Sequence, residues 1–245
     1  MIPNPSVNIW AQTKNSLYEF YEKRVRGLTN ELDCHAQAAE IYAPYHKKGN
    51  LILDAGGGSG YFYWSLKNRD FDCLYHLLDY NLDFVEQGRL ALSGEIPKPV
   101  FIHQSIEQTP IPGFYFKDEL ESTKLVETEN DKNIQYNAVF CLNALFCLPD
   151  YRQGLERLLL ATKEIVIIRT PLTEQNLIRF ETDEYLDIGA ERLKSYFNIW
   201  SLKEINAFVN QYGFTVSNPV DGRTNDGGEI SAGKFFPWRW VVGVK

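Results

Sequence analysis

The densest chemical signal in the chain is Leu51-Ile-Leu-Asp54-Ala-Gly56-Gly57-Gly58-Ser-Gly60, an apolar run that breaks into glycines and passes into a helical pattern near Ser59. A strand-to-helix turn needs glycine where φ is positive, and wherever backbone must touch a ligand with no Cβ in the way. The next apolar run, Cys73-Leu-Tyr-His-Leu-Leu-Asp79, ends in a carboxylate, an acceptor with two oxygens. Two phosphate-binding uses of glycine are excluded. The dinucleotide pattern G-x-G-x-x-G needs glycine where Tyr61 stands if read from Gly56, and where Ser59 stands if read from Gly57. A Walker loop fails because no Gly-Lys-Ser/Thr follows.

These groups need a scaffold, and from about residue 50 apolar runs alternate with helical patterns, the signature of βαβ units wound into a mostly parallel sheet. Strands are predicted at Asn50–Ala55, Cys73–Asp79, Pro99–His103, Asn137–Leu142, Glu164–Arg169, Phe214–Asn218 and Trp238–Val244. Asp150 can cap a helix with Tyr151, Leu155, Leu158 and Leu159 on its apolar face. Ser201 and Glu204 form a capping box for Ser201–Tyr212, which Gly213 ends. The Gly-, Asp- and Asn-rich loop Asp221–Lys234 then turns the chain so that the last strand lies antiparallel. The expectation is an α/β protein in which a doubly wound, mostly parallel seven-stranded sheet carries helices on both faces. Residues 1–245 read as a single domain, with an N-terminal helical lid at 1–48, a core at 49–245 and inserts at 113–133 and 171–200. In the lid, Leu17, Phe20, Tyr21 and Leu28 make an apolar stripe, and Thr29 with Glu31 to Asp33 starts a second helix.

Composition narrows the function classes. A formal net charge of -7 disfavours a nucleic-acid groove, because phosphate binding relies on clustered Lys and Arg. No run approaches the roughly 18 apolar residues of a membrane helix and the start lacks a secretory pattern, so the expected compartment is the cytoplasm. Cys34, Cys73, Cys141 and Cys147 show no CxxC spacing and read as reduced core residues. The four histidines form neither a metal-spaced pair nor a triad, so no metal is expected.

The segment Asp54–Gly60 resembles the D-x-G-x-G-x-G motif of class I S-adenosylmethionine-dependent methyltransferases, with Asp54, Gly56, Gly58 and Gly60 in place. The likeness covers roughly residues 50 to 245 and includes the acid ending the second strand, Asp79. It implies a Rossmann-like core and S-adenosylmethionine held by Asp54, Gly56, Gly57, Gly58, Gly60, Asp79, Tyr80, Ser105, Ile106, Cys141 and Asn143. In that family the Asp79 carboxylate takes both ribose hydroxyls. Asp54 read alone can also cap the glycine turn, and Asp79 the helix Leu82–Leu92. Phe101–Glu107 aligns with the adenine-reading segment, with Ser105 where an acid is expected, Ile106 offering an amide and an apolar face, and Glu107 as a substitute acceptor. In Tyr136–Asn143, Asn137 stands where the family has Asp, while Cys141, Leu142 and Asn143 fall beside the methionine moiety; Asn143 can equally cap a helix.

Methyl transfer from a sulfonium is an in-line displacement that needs orientation and solvent exclusion rather than a protein nucleophile. No catalytic residue is therefore assigned. His103 and His35 are candidates to accept a proton, Arg169 to anchor an anionic group, and Tyr18, Tyr21 and Tyr61 to line a cationic ligand. The expected activity is O- or N-methylation of a small molecule such as a metabolite, sugar or amino-acid derivative. Two alternatives remain open: a non-catalytic S-adenosylmethionine-binding module, and a nicotinamide-dependent oxidoreductase. The oligomeric state is not legible in the sequence.

Overall fold

Apolar runs without a polar face are stable only between two covering layers, and such runs build the central sheet here. The computed structural model describes residues 16–108, 115–116, 125–126, 134–182, 194–231 and 233–245. Strands β1 (Asn50–Ala55), β2 (Cys73–Asp79), β3 (Val100–His103), β4 (Tyr136–Leu142), β5 (Thr162–Thr173), β6 (Thr215–Ser217) and β7 (Trp238–Val244) lie in the order β6-β7-β5-β4-β1-β2-β3. Neighbours from β5 to β3 pair in parallel, and β7 runs antiparallel to both β5 and β6. The two-residue strand Trp200–Ser201 adds to β5. The sheet is the mixed, mostly parallel one that the sequence predicts. Chain order reverses between β1 and β4, so their carboxyl ends flank the crevice where open α/β sheets bind ligands.

Helices α1 (Ser16–Val25), α2 (Asp33–Tyr42), α3 (Phe62–Lys67), α4 (Leu82–Ala91), α5 (Tyr151–Ala161) and α6 (Leu202–Gln211) cover both faces. One core joins Ala38, Tyr42, Phe62 and Leu66 of α2 and α3 to Tyr75, Phe140 and Trp240. The opposite core joins Leu155, Leu158, Ile205 and Val209 of α5 and α6 to Val139, Val166 and Ile168. Asp150 caps α5 by accepting from the Arg152 amide, and Ser201 caps α6 by accepting from the Glu204 amide. The capping box is only half made. The Glu204 carboxylate goes to Arg152 and Asn176, and the Ser201 amide donates to Asn176 Oδ1 instead.

Several boundaries differ from the expectation for physical reasons. α3 begins at Phe62 rather than near Ser59, because Gly58 and Gly60 sit at φ 61° and 83°, outside helical space. β5 runs on to Thr173, so Arg169 lies inside the strand and Pro171–Thr173 belong to the sheet rather than to an insert. On the lid, Tyr21 and Val25 face the protein at i, i+4 spacing, whereas Phe20 and Leu28 of the expected stripe are 43% and 70% exposed. α2 starts at Asp33 behind Leu32, with no side-chain cap, so Thr29 does not open it. The loop before β7 holds a short hairpin, Glu229–Ser231 with Lys234–Phe236.

Within the charged insert 113–133, the antiparallel pair Tyr115–Phe116 and Leu125–Val126 is described; the rest lies outside the described residues, as do residues 1–15 of the lid and residues 183–193. Flanking the latter, Phe180–Thr182 pairs with Lys194–Tyr196, and Phe197 packs against Phe146, Phe236 and Trp238. Cys34, Cys73 and Cys141 are buried and Cys147 half-buried, all four free. Among the described residues no helix is long and apolar enough to cross a membrane, and no cluster of His, Cys, Asp and Glu could hold a metal ion.

Candidate binding cleft

β1 ends in a bend tied to β2 by the Gly56 amide, which donates to the Leu78 carbonyl at 2.7 Å. Beneath it lies Asp54, 1% exposed, accepting from the Tyr75 hydroxyl. A Cβ on Gly57 would stand 2.2 Å from Asp54 Oδ2, so the carboxyl and the bend are packed against each other. Desolvation pushes the Asp54 carboxyl up to about 7 against the Tyr75 hydrogen bond, with Asp79's charge adding to the rise. Asp54 thus supports the bend from within.

Asp79 stands at the end of β2, where its Oδ2 accepts from the Gly58 amide and its Oδ1 from the Asn81 amide, both at 2.8 Å. A carboxylate oxygen can accept more than one donor, so the pair keeps capacity for further hydroxyls. Burial raises the carboxyl to about 6, against the backbone hydrogen bonds that favour its charge. The cap of α4 is Asn81, which accepts from the Phe84 amide; Asp79 itself is not that cap. Tyr80 is 36% exposed and its carbonyl accepts from His103 Nε2, and His103, at the exposed end of β3, pairs in register with Asp79.

The lid forms the roof. Tyr21 lies over Gly58, where a Cβ would come 2.9 Å from its ring, and packs against Phe84 and Tyr61 at 4.3 and 5.4 Å between centroids. Ser59 Oγ donates to the Tyr21 carbonyl, pinning α1 to the bend. His35 stacks on Tyr61 at 4.8 Å, and burial, helped by the charges of Arg24 and Arg169, pushes it down to about 3. It is therefore neutral at physiological pH and a weak proton acceptor. His35 and Tyr61 also line a cavity of ≈ 280 Å³ with Arg24, Thr29, Asn30 and Trp64. Tyr21 and Tyr61 thus reach the bend, whereas Tyr18 is 37% exposed and its carbonyl accepts from Gln87.

On the β3 side, Ile106 is buried against Gly56 and Gly154, and Ser105 Oγ accepts from the Glu107 amide as a turn cap. Burial raises the half-buried Glu107 carboxyl. Cys141 belongs to the core on the α5–α6 face, its thiol pushed up to about 12 by burial, so it meets the cleft only through backbone. Asn137 lies at the opposite, amino-terminal edge of the sheet. There it accepts from the Leu51 amide and donates to Glu164, a brace between three strands.

Asn143 follows β4 at φ 62° and joins Arg169 twice, its amide donating to the Arg169 carbonyl and its Oδ1 accepting from Arg169 Nη1, both at 2.8 Å. Arg169 is 2% exposed. Its Nε donates to Asp221 Oδ2 at 2.6 Å, and its guanidinium carbon lies 4.5 Å from the Trp238 ring centroid and 5.9 Å from that of Trp240. Burial works against the Asp221 charge, but the Arg169 hydrogen bond and charge outweigh it and hold the carboxyl below its usual range. The sequence reading missed Asp221, and with it Gln37, whose side chain clamps the lid to this loop through Gly222, Val220 and Trp240. The usable signal was the Trp238–Trp240 alternation, which places two aromatic faces on one side of β7.

No protein-family model matches the sequence, and no curated protein matches it. Solved structures match by fold. The CcbJ methyltransferase from Streptomyces caelestis is 12% identical, with 88% of this chain and 96% of that chain covered and a TM-score of 0.55. The glycopeptide N-methyltransferase MtfA, solved with S-adenosyl-L-methionine, is 9% identical over 86% of this chain and 93% of that chain, TM-score 0.55. The [4+2]-cyclase SpnF is 12% identical with a TM-score of 0.51; 75% of this chain aligns, spanning 58% of the cyclase. At these identities the likeness shows the fold, which is that of class I S-adenosylmethionine-dependent methyltransferases.

Proposed function

We propose that the chain binds S-adenosylmethionine across the carboxyl ends of β2, β1 and β4 and methylates an oxygen or nitrogen of a small molecule. The reading is carried by one juxtaposition: the Asp79 carboxylate hydrogen-bonded to the bare Gly58 backbone, at the point where strand order reverses. The residues fit the cofactor. Asp79 keeps lone pairs for ribose hydroxyls, Ile106 offers an apolar surface and Ser105 a hydroxyl beside it, and the tyrosine faces of Tyr21 and Tyr61 suit a cation.

When bound, S-adenosylmethionine supplies a methyl group on a sulfonium, already activated toward displacement. The chain's own residues orient and enclose. Asp54, Gly57 and Gly60 fix the bend, Gly56 gives room to Ala144 and Gly58 to the Tyr21 ring, and Tyr80, Cys141 and Asn143 lie around it. Tyr21 lies on the same glycine, so α1 closes over whatever the bend holds and excludes water. Its packing also means that ligand and tyrosine share this surface.

A second reading, binding without methyl transfer, draws support from the [4+2]-cyclase among the structures of this fold. Titration with S-adenosylhomocysteine, followed by a panel of amine and hydroxyl acceptors with a labelled methyl donor, separates the two. At ligand about 100-fold above Kd the fold gains about 2.7 kcal/mol. The absence of both binding heat and a melting shift discards the cofactor, while binding with no turnover on any acceptor favours the second reading.

A further inference from the structure

The strand register places Asp79, Gly56, Leu142 and Arg169 in one row across the sheet, one step beyond the pair Ala55↔Leu78, two steps beyond the pair Asp54↔Phe140 and at the pair Leu142↔Arg169. Side chains in one row project to the same face, so the Asp79 carboxylate and the Arg169 guanidinium bracket a floor about three strand spacings, or about 14 Å, wide. Between them lie only a glycine and a leucine.

Arg169 is bound along part of its fork. Nε is taken by Asp221 and Nη1 by Asn143, and Trp238 stacks on the guanidinium. Nη2 is buried with no acceptor among the described residues. Leaving a charged N–H donor unsatisfied in the interior is costly, and a guanidinium edge is shaped for a carboxylate. Asp221 and Asn143 fix the fork while leaving that edge unused, and Cys34 of α2 lies against Asn143 as the roof at this end.

Resting on the cofactor reading above, we infer that the free edge of Arg169 is the subsite for the carboxylate of the cofactor's aminocarboxypropyl arm. The ribose would be held at the β2 end of the row and the carboxylate at the β5 end, with the sulfur between them over the glycine bend. Arg169 is then a residue that sets affinity for the amino-acid half of the ligand alone.

The test uses two nucleosides that differ in that arm, S-adenosylhomocysteine and 5′-methylthioadenosine, titrated calorimetrically into the full chain. Arg169→Gln is compared with Arg169→Gln/Asp221→Asn, which leaves no buried carboxylate stranded if the single variant does not fold. The expected result is a loss of about 30-fold for S-adenosylhomocysteine with 5′-methylthioadenosine changed by less than about twofold, and a smaller loss in Arg169→Lys. Equal losses for both nucleosides, or no loss for either, overturn the assignment while leaving the cofactor reading standing. If neither nucleoside binds the wild-type chain, the cofactor reading itself fails, and the subsite with it.

Discussion

The two ends of the cleft floor treat the same residue type in opposite ways. At the β1–β2 end, Asp54 and Asp79 are pushed up to about 7 and about 6, because burial is met only by uncharged donors, a tyrosine hydroxyl and backbone amides. At the β5 end, Asp221 is fully buried yet held below its usual range by Arg169. Burial alone therefore does not set the ionisation of a carboxyl here; the charge of its partner does. The first end is suited to an uncharged polyol, the second to a charged group.

The sharpest way to break this contrast is at the charged end. Asp221→Ala strands a buried guanidinium and should cost about 3–5 kcal/mol of unfolding free energy in a denaturant titration. A loss below about 1 kcal/mol would mean the pair is not closed off from water. Next in size is Gly57→Ala, whose Cβ would fall 2.2 Å from Asp54 Oδ2 and 2.6 Å from Leu77 Cδ1. Overpacking of this kind costs about 1–3 kcal/mol, read as a lowered denaturation midpoint.

The pH dependence of the unliganded chain sharpens the contrast further. Asp54 and Asp79 bind protons more tightly folded than unfolded, so their contribution is fully present below about pH 4 and is lost as pH rises through 6 to 7. Asp221 acts with the opposite sign: its contribution holds above about pH 4 and is lost below it. Melting curves from pH 3 to 8 should show both limbs. Asp54→Asn removes the higher limb at a cost of less than about 1 kcal/mol at neutral pH, since it replaces a carboxyl that is already half protonated. If Asp54→Asn proved as damaging as Asp221→Ala, the two ends would be electrostatically alike.

What the sequence made legible follows the range of the interactions. The glycine run and the caps at Asp150 and Ser201 are local patterns, and Asp79, 21 positions after Gly58, closes the next apolar run, so all of them survive in a linear reading. The Arg169–Asp221 pair joins residues 52 apart, and Gln37 reaches across 185 positions to Gly222, so neither leaves a periodic trace. Direction was also hidden. Cys141 faces the α5–α6 core and Asn137 the far edge of the sheet, because strand alternation assigns faces only once the register is known. The Asn137 departure from the family motif thus falls on a brace away from the cleft. The stripe on α1 misled because an isolated surface helix buries one narrow face, and Tyr21 was on it while Phe20 was not.

The most direct test is calorimetric titration of S-adenosylhomocysteine into the wild-type chain and Asp79→Asn across pH 5 to 8. Asp79 must be ionised to accept both ribose hydroxyls, so wild-type affinity should fall as pH drops below about 6, and Asp79→Asn should bind at least about tenfold more weakly with that dependence gone. Equal affinity of the two proteins at pH 8 would show that the carboxylate beside the glycine bend does not hold the ribose.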